Sequence, residues 1–242
     1  MIASLLIIPL LALATPNHEL LQQAKDRRFL VSFPRSGQHF LRYCISKFTQ
    51  KQPVHVVAFH CKDRPIYFTH NPDHIKEVAR DCNRLIVIVR NYKESLLRRA
   101  KSIGMTYDLA TDRHYIKNYA KIIRLYDTWP HDMRLLIYYE DLMLGPENEL
   151  GRLLTFLDQP QDLLNSFMVN YGFHKQQSLQ IYHRLEGCHG GSYTKGNDLL
   201  FHSSERCEED LHLIDEAMLS EIGSRLFDIY LARYKPKHCI NQ

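Results

Sequence analysis

No hydrophobic run in this chain is long enough to cross a bilayer as a helix. The longest, residues 2–14, has 13 residues, where a span needs ~20. A polytopic membrane protein is therefore excluded. Cysteine is scarce, 6 residues in 242 at irregular spacing, too few for a disulfide scaffold and without zinc-finger pairing. Neither sign of charge dominates, the net charge being +4. With 45% hydrophobic and 24% charged residues, disorder, collagen-like repeats and coiled coil are also set aside. What remains is a globular chain of one large or two small domains.

The small net charge is unevenly placed. Lys25, Arg27, Arg28, Arg35 and Arg42 face only Asp26 over residues 25–42. Arg84, Arg90, Lys93, Arg98, Arg99 and Lys101 face only Glu94 over residues 84–101. The rest of the chain is slightly acidic, Glu205 to Glu221 most of all. A nucleic-acid binder keeps a basic excess over a wide surface. Two basic segments in an acidic remainder predict instead a pocket for a small polyanion.

Residues 1–14 read as a signal peptide, with an uncharged apolar stretch, an Ala12-Leu13-Ala14 site and a Thr-Pro-Asn break. A buried N-terminal helix fits the same residues. The first reading sends residues 15–242 into the secretory pathway or outside the cell, and the second leaves a cytoplasmic protein. In an oxidising compartment the cysteines could pair, in a pattern the spacing does not reveal.

Strand and helix patterns alternate along the rest. Arg28–Phe33, Ile66–Thr69, Leu85–Val89 and Leu135–Tyr139 read as strands, and the all-apolar Leu85–Val89 suits a central strand covered on both faces. Helical spacing marks Gln38–Phe48, Asp73–Arg80 with Asp73 as cap, Lys93–Ser102, Asp112–Thr128 and a stretch opened by Pro146. A Gly/Ser-rich break covers Gly187–Gly196, and one amphipathic helix is predicted from Glu205 to Tyr234 through Leu211, Ile214, Met218, Ile222, Leu226 and Ile229. No linker or repeat divides this pattern. The expected fold is a single α/β domain with a central, mainly parallel sheet flanked by helices. Ligands in such folds bind at the carboxyl ends of strands, which singles out Arg35, His70, Arg90 and the Glu140 region.

A strand turning through Pro34-Arg35-Ser36-Gly37 into a helix offers an anion several N–H groups and a positive helix end. An ordinary strand-to-helix loop would carry the same residues. It is no Walker A loop, since Gln38 stands where the lysine belongs. Arg90 ends the central strand ahead of a basic helix, where a guanidinium fits a terminal phosphate bidentately. A solvent-seeking arginine at a strand end fits that position too. His55, His60, Cys61, His70 and His74 show none of the common metal-ligand spacings, so no metal is expected.

Four segments, in order, resemble the PAPS-dependent sulfotransferases over roughly residues 28–205. Ser32-Phe33-Pro34-Arg35-Ser36-Gly37-Gln38-His39-Phe40-Leu41 resembles their 5′-phosphosulfate loop, with Arg-Ser-Gly closest to the carbohydrate-modifying branch. Leu85 to Ser95 resembles their 3′-phosphate motif. Phe68-Thr69-His70-Asn71-Pro72 is similar to a K-T-H-x-P segment, and Tyr138-Tyr139-Glu140-Asp141-Leu142 to a Y-E-D-L segment. The resemblance implies that the fold is P-loop-like, with 3′-phosphoadenosine 5′-phosphosulfate (PAPS) as donor and a hydroxyl-bearing acceptor: a carbohydrate, a tyrosine or a small molecule. It implies that Arg35 contacts the phosphosulfate, that Ser36, Gly37, Gln38 and His39 wrap it, and that Phe40 lies near the adenine. Arg90 would hold the 3′-phosphate, Tyr139 would lie at the adenine edge, and His70 would take the acceptor's proton. Glu140 and Asp141 would have structural roles.

The chain departs from that pattern in places. Arg98 stands where the family has a serine, with Ser95 one turn earlier; Phe68 replaces a lysine; and Lys195 in Ser192-Tyr193-Thr194-Lys195-Gly196 is the nearest counterpart to a basic C-terminal loop. The chemistry suits these groups, because fixed cations can stabilise the charge growing on the leaving nucleotide's bridging oxygen. A histidine of ordinary pKa suits proton removal. Two alternatives stay open: a nucleotide-binding module of this fold without catalysis, and a P-loop kinase.

Overall fold

The run Leu85-Ile86-Val87-Ile88-Val89 lies at the heart of the molecule because both faces of its strand are covered. Leu85, Val87 and Val89 point into one apolar cluster and Ile86 and Ile88 into the other, the two-residue alternation of a pleated strand. The computed structural model describes residues 27–55, 66–78, 83–102, 109–185 and 208–234. Residues 1–14, the Gly187–Gly196 break and Lys195 lie outside the described residues.

Among the described residues, five strands form one sheet: β1 (Arg28–Ser32), β2 (Val54–His55), β3 (Ile66–Thr69), β4 (Arg84–Val89) and β5 (Arg134–Tyr138). Their spatial order is β2-β3-β1-β4-β5, with every pairing parallel. Helix α1 (Gln38–Thr49) follows β1, α2 (Pro72–Val78) follows β3, and α3 (Tyr92–Ser102) and α4 (Leu109–Thr128) follow β4. Next come α5 (Tyr139–Leu144), α6 (Pro146–Phe156), α7 (Asp162–Val169), α8 (Tyr171–Leu185), α9 (Glu208–Ile222) and α10 (Ser224–Tyr230). Helices α4, α9 and α10 cover one face of the sheet; α1, α6 and α7 cover the other. The expected α/β architecture is thus present.

Three local expectations are corrected. Helix α2 is capped by Asn71, whose Oδ1 accepts the Asp73 N–H at 3.0 Å, while Asp73 itself pairs with Lys121 at 2.7 Å. The Glu205–Tyr234 helix is broken: Gly223, at φ 81°, separates α9 from α10, and Ile229, expected in the buried stripe, is 55% exposed. Tyr139 opens α5 instead of closing β5.

The chain leaves β1 toward β2 and β3 on one side, then crosses to β4 and β5 on the other. The connections after β1 and β4 therefore diverge, and a crevice opens between their carboxyl ends. Switch points of this kind are where parallel α/β sheets bind ligands.

Candidate functional site

The connection after β1 is a tight turn. The Ser36 N–H returns to the Phe33 carbonyl at 3.2 Å, so it serves the turn and not an anion. The donors facing the crevice are those of the first turn of α1. The helical ladder begins with Leu41 N–H on the Gly37 carbonyl, and helix geometry gives Gln38, His39 and Phe40 no i−4 carbonyl. Arg35 and Gly37, on either side of Ser36, both adopt left-handed backbone, φ 70° and 87°. A Cβ at Gly37 would fall within the Tyr139 ring, so conformation and space each require glycine.

The structure brings Arg90 to this turn. Its guanidinium carbon lies 4.4 Å from the Tyr139 ring centroid, and Nη1 donates to the Arg35 carbonyl at 3.4 Å. Arg90 is 7% exposed. Burial pulls its pKa below the ordinary value, Arg98 adds to that, and the Tyr139, Glu140 and Glu94 side chains oppose it. Guanidinium keeps its charge under any such shift.

Helix α3 carries Ser95 to the same place: the Ser36 and Ser95 hydroxyls are 3.3 Å apart, both fully buried. Arg98, further along the same helix, has Nε 3.6 Å from the Glu94 carboxylate, and its charge also reaches Arg90. One helical turn separates Arg98 from Ser95, whose hydroxyl faces the Ser36 turn. The polar start of α3 can be buried because each group is matched. Asn91 Oδ1 accepts the Lys93 N–H at 3.0 Å, Lys93 Nζ lies 3.0 and 3.2 Å from the Asp215 carboxylate, and the Tyr92 hydroxyl donates to the same carboxylate.

His70 stands at the carboxyl end of β3, half-buried. Its Nδ1 is 2.9 Å from the Ser32 carbonyl and 3.1 Å from the Ser32 hydroxyl. A carbonyl only accepts, so Nδ1 carries a proton, and in the neutral ring Nε2 is the nitrogen left with a lone pair. Gln38 Nε2 donates to the Thr69 carbonyl at 3.1 Å and Asn118 Nδ2 to the His70 carbonyl at 3.2 Å, which fixes this strand end from α1 and from α4. His39 is held near pKa 3, against the usual 6.5, by burial first and then by the charges of Arg42, His70 and Arg35. It is neutral at physiological pH and does not add to the positive charge around it.

Sequence reasoning missed Arg42. Its guanidinium carbon lies 3.5 Å from the Phe68 ring centroid, which returns a cation to the strand end where the phenylalanine replaces a lysine. The signal was present as the basic excess of residues 25–42. Phe40 is buried in the apolar cluster under α1, edge-on to Tyr171 at 5.8 Å, with Tyr139 packed against the same cluster. Glu140 accepts the Asn91 N–H at 2.9 Å and the Tyr234 hydroxyl at 2.7 Å, and Asp141 pairs with Arg233 at 2.6 and 2.9 Å. Among the described residues, no group of three or more His, Cys, Asp and Glu could hold a metal ion, and no helix is long and apolar enough to cross a membrane.

This architecture is the fold of the PAPS-dependent sulfotransferases. The mouse sulfotransferase SULT7A1, solved in complex with PAP, matches over 88% of this chain and 93% of its own, with a TM-score of 0.58 and 16% identity. The sulfotransferase domain from the curacin biosynthetic pathway matches over 55% of this chain and 74% of its own, with a TM-score of 0.44 and 15% identity. At 16% identity the likeness to SULT7A1 shows the fold alone. No protein-family model and no curated protein matches the chain.

Proposed function

We propose that this chain is a sulfotransferase, moving a sulfuryl group from PAPS to a hydroxyl of a carbohydrate, tyrosine or small-molecule acceptor. The observation that carries the reading is the meeting of the Ser36 turn, Ser95 and Arg90 at the switch point between β1 and β4, with His70 at the next strand end. A bisphosphorylated nucleotide suits these groups: first-turn N–H donors and Arg35 at one end, a buried guanidinium at the other, and no Cβ at Gly37.

The residues divide the work. Gln38 and His39 offer backbone donors to the phosphosulfate, and Arg35 neutralises the charge that grows on the leaving oxygen. The Arg35–carbonyl bond from Arg90 is long at 3.4 Å, and phosphate oxygens would offer that guanidinium a stronger, charge-assisted partner. His70 Nε2 removes the acceptor's proton while the Ser32 carbonyl holds the ring in the required tautomer. Tyr139 lies beside the nucleotide. Fixed cations supply the electrostatics, and the reading includes no metal.

The test is direct. The desulfated nucleotide PAP should raise the melting temperature of the purified chain more than ATP does, and labelled PAPS should pass label to a member of an acceptor panel. Arg35→Ala should abolish transfer, and Arg90→Ala should weaken PAP binding about 10- to 100-fold, the loss of a charge-assisted pair. PAP binding indifferent to both changes refutes the assignment, and better stabilisation by ATP points to a kinase. The reading also places the enzyme in the secretory pathway, where donor must be delivered. N-terminal sequencing of the expressed protein checks whether residues 1–14 are removed.

A further inference from the structure

The grip of Arg90 depends on where its backbone is held, and the structure holds it from an unexpected quarter. Hydrogen bonds from several elements fix the peptide after β4. The Tyr119 hydroxyl of α4 donates to the Arg90 carbonyl at 2.6 Å. At the start of α3, Asn91 Oδ1 accepts the Lys93 N–H at 3.0 Å and the Asn91 carbonyl accepts the Ser95 N–H at 2.9 Å. The Asn91 N–H donates to Glu140 Oε1 at 2.9 Å. The second oxygen of Glu140 accepts the Tyr234 hydroxyl at 2.7 Å.

We propose that Tyr234, in the 3₁₀ turn Ala232–Tyr234 that follows α10, is a positioning residue for the nucleotide's 3′-phosphate, acting through Glu140. The inference rests on the reading of Arg90 given above. Residues 138–141 divide their contacts between the crevice and the C-terminal segment. The Tyr138 hydroxyl donates to the Tyr230 carbonyl at 3.1 Å and Asp141 pairs with Arg233, both toward the C-terminal segment. Tyr139 lies under Arg90 and against Gly37, toward the crevice. Glu140 does both, one oxygen to each side. Its neighbour carries the ring beneath the guanidinium, so a shift of Glu140 moves two of the surfaces that aim Arg90.

Tyr234 is 8% exposed, and burial, with Glu140 beside it, holds its pKa well above the ordinary phenol value, so the hydroxyl remains a donor. Without it, Oε2 of Glu140 is left in a half-buried setting with no phenol to satisfy it. The carboxylate then turns toward water and releases the Asn91 N–H.

A role confined to stability would weaken every ligand alike. A positioning role predicts selectivity, because 5′-AMP lacks the 3′-phosphate. The experiment is calorimetric titration of PAP and of 5′-AMP into the full chain and into Tyr234→Phe, with melting temperatures alongside. The expected result is a loss of about tenfold for PAP, the size of one charged hydrogen bond, and a change within about twofold for 5′-AMP. Glu140→Ala, which removes both acceptor oxygens, should give the same selective loss. Equal losses for the two nucleotides, or PAP affinity unchanged in both variants, overturn the role of Tyr234. If the unaltered chain shows no preference for PAP over 5′-AMP, the assignment of Arg90 fails, and this proposal with it.

Discussion

Gly37→Ala probes the crevice most sharply, because two independent constraints meet at one hydrogen atom. The first is conformational. Gly37 sits at φ 87° and ψ 13°, and a side chain in left-handed backbone costs about 1–2 kcal/mol. The second is steric, since the new Cβ would fall within the Tyr139 ring. The ring must move, and it carries the Arg90 guanidinium at 4.4 Å; losing a partly desolvated cation–π contact costs about 1–2 kcal/mol more. The sum is about 2–4 kcal/mol. For a chain of this size each kcal/mol lowers Tm by about 2–4 °C, so a fall of roughly 5–15 °C is expected.

The double variant Gly37→Ala/Tyr139→Ala separates the two terms. With the ring gone, only the backbone cost remains, and a double-mutant cycle should give a coupling of about 1–2 kcal/mol in the direction of rescue. Differential scanning calorimetry gives the stabilities, and PAP titration shows whether Arg90 lost its seat. A Gly37→Ala chain with unchanged Tm and unchanged PAP affinity would refute the packing of Tyr139 against the turn. A strict sum of the single losses would show that conformation alone demands glycine.

Two further outcomes follow from the site. His70→Ala should lower the transfer rate about 10²- to 10⁴-fold, the usual worth of a general base, with PAP affinity within about twofold; rapid transfer by this variant removes His70 from the chemistry. His39 gives a pH signature. Its folded-state pKa of about 3 lies below the usual 6.5, so below pH 6.5 the unfolded chain binds the extra proton. Its contribution is complete above 6.5 and declines as pH falls toward 3, by at most about 1.4 kcal/mol per pH unit. His39→Gln should flatten denaturant-measured stability between pH 6.5 and 4.5 relative to the parent, and parallel curves would show that His39 is not held neutral.

The long strands were legible because burial on both faces leaves continuous apolar runs, as in Leu85–Val89. The two-residue β2 left no such run. The break at Gly223 was hidden because the apolar spacing of α9 continues in phase into α10, and only a positive φ interrupts it. At the site, Arg35, Ser36, Gly37, His70 and Arg90 could be picked out because each directly follows a strand. The meeting of Ser95 with Ser36 is a matter of helical phase, which sequence spacing resolves only to about a turn. The seating of Tyr139 against Gly37, the stacking of Arg42 on Phe68 and the tie from Tyr234 to Glu140 join distant segments, and no local pattern encodes them.

The two ends of the sheet use the same residue type for opposite purposes. At the amino ends, Arg28 and Arg84 are paired neighbours in register. Both reach the last turn of α6: Arg84 donates to the Phe156 carbonyl at 2.6 Å and Arg28 to the Leu157 carbonyl at 3.3 Å, and both meet the Asp158 carboxylate. There the guanidinium charge is answered by a carboxylate and a helix's negative end, and nothing further is asked of it. At the carboxyl ends, Arg90 is more deeply buried and sits over the Tyr139 ring; burial lowers its pKa, and the Tyr139, Glu140 and Glu94 side chains oppose that shift while Arg98 adds to it. Hydrophobic exchanges in β4 that conserve volume cost little, so the shape of the sheet does not depend on particular apolar residues. Glycine in a left-handed turn against a ring, and a buried guanidinium seated on that ring, do depend on residue type. Both stand at one end of β1 and β4, which is what the proposed polyanion site requires.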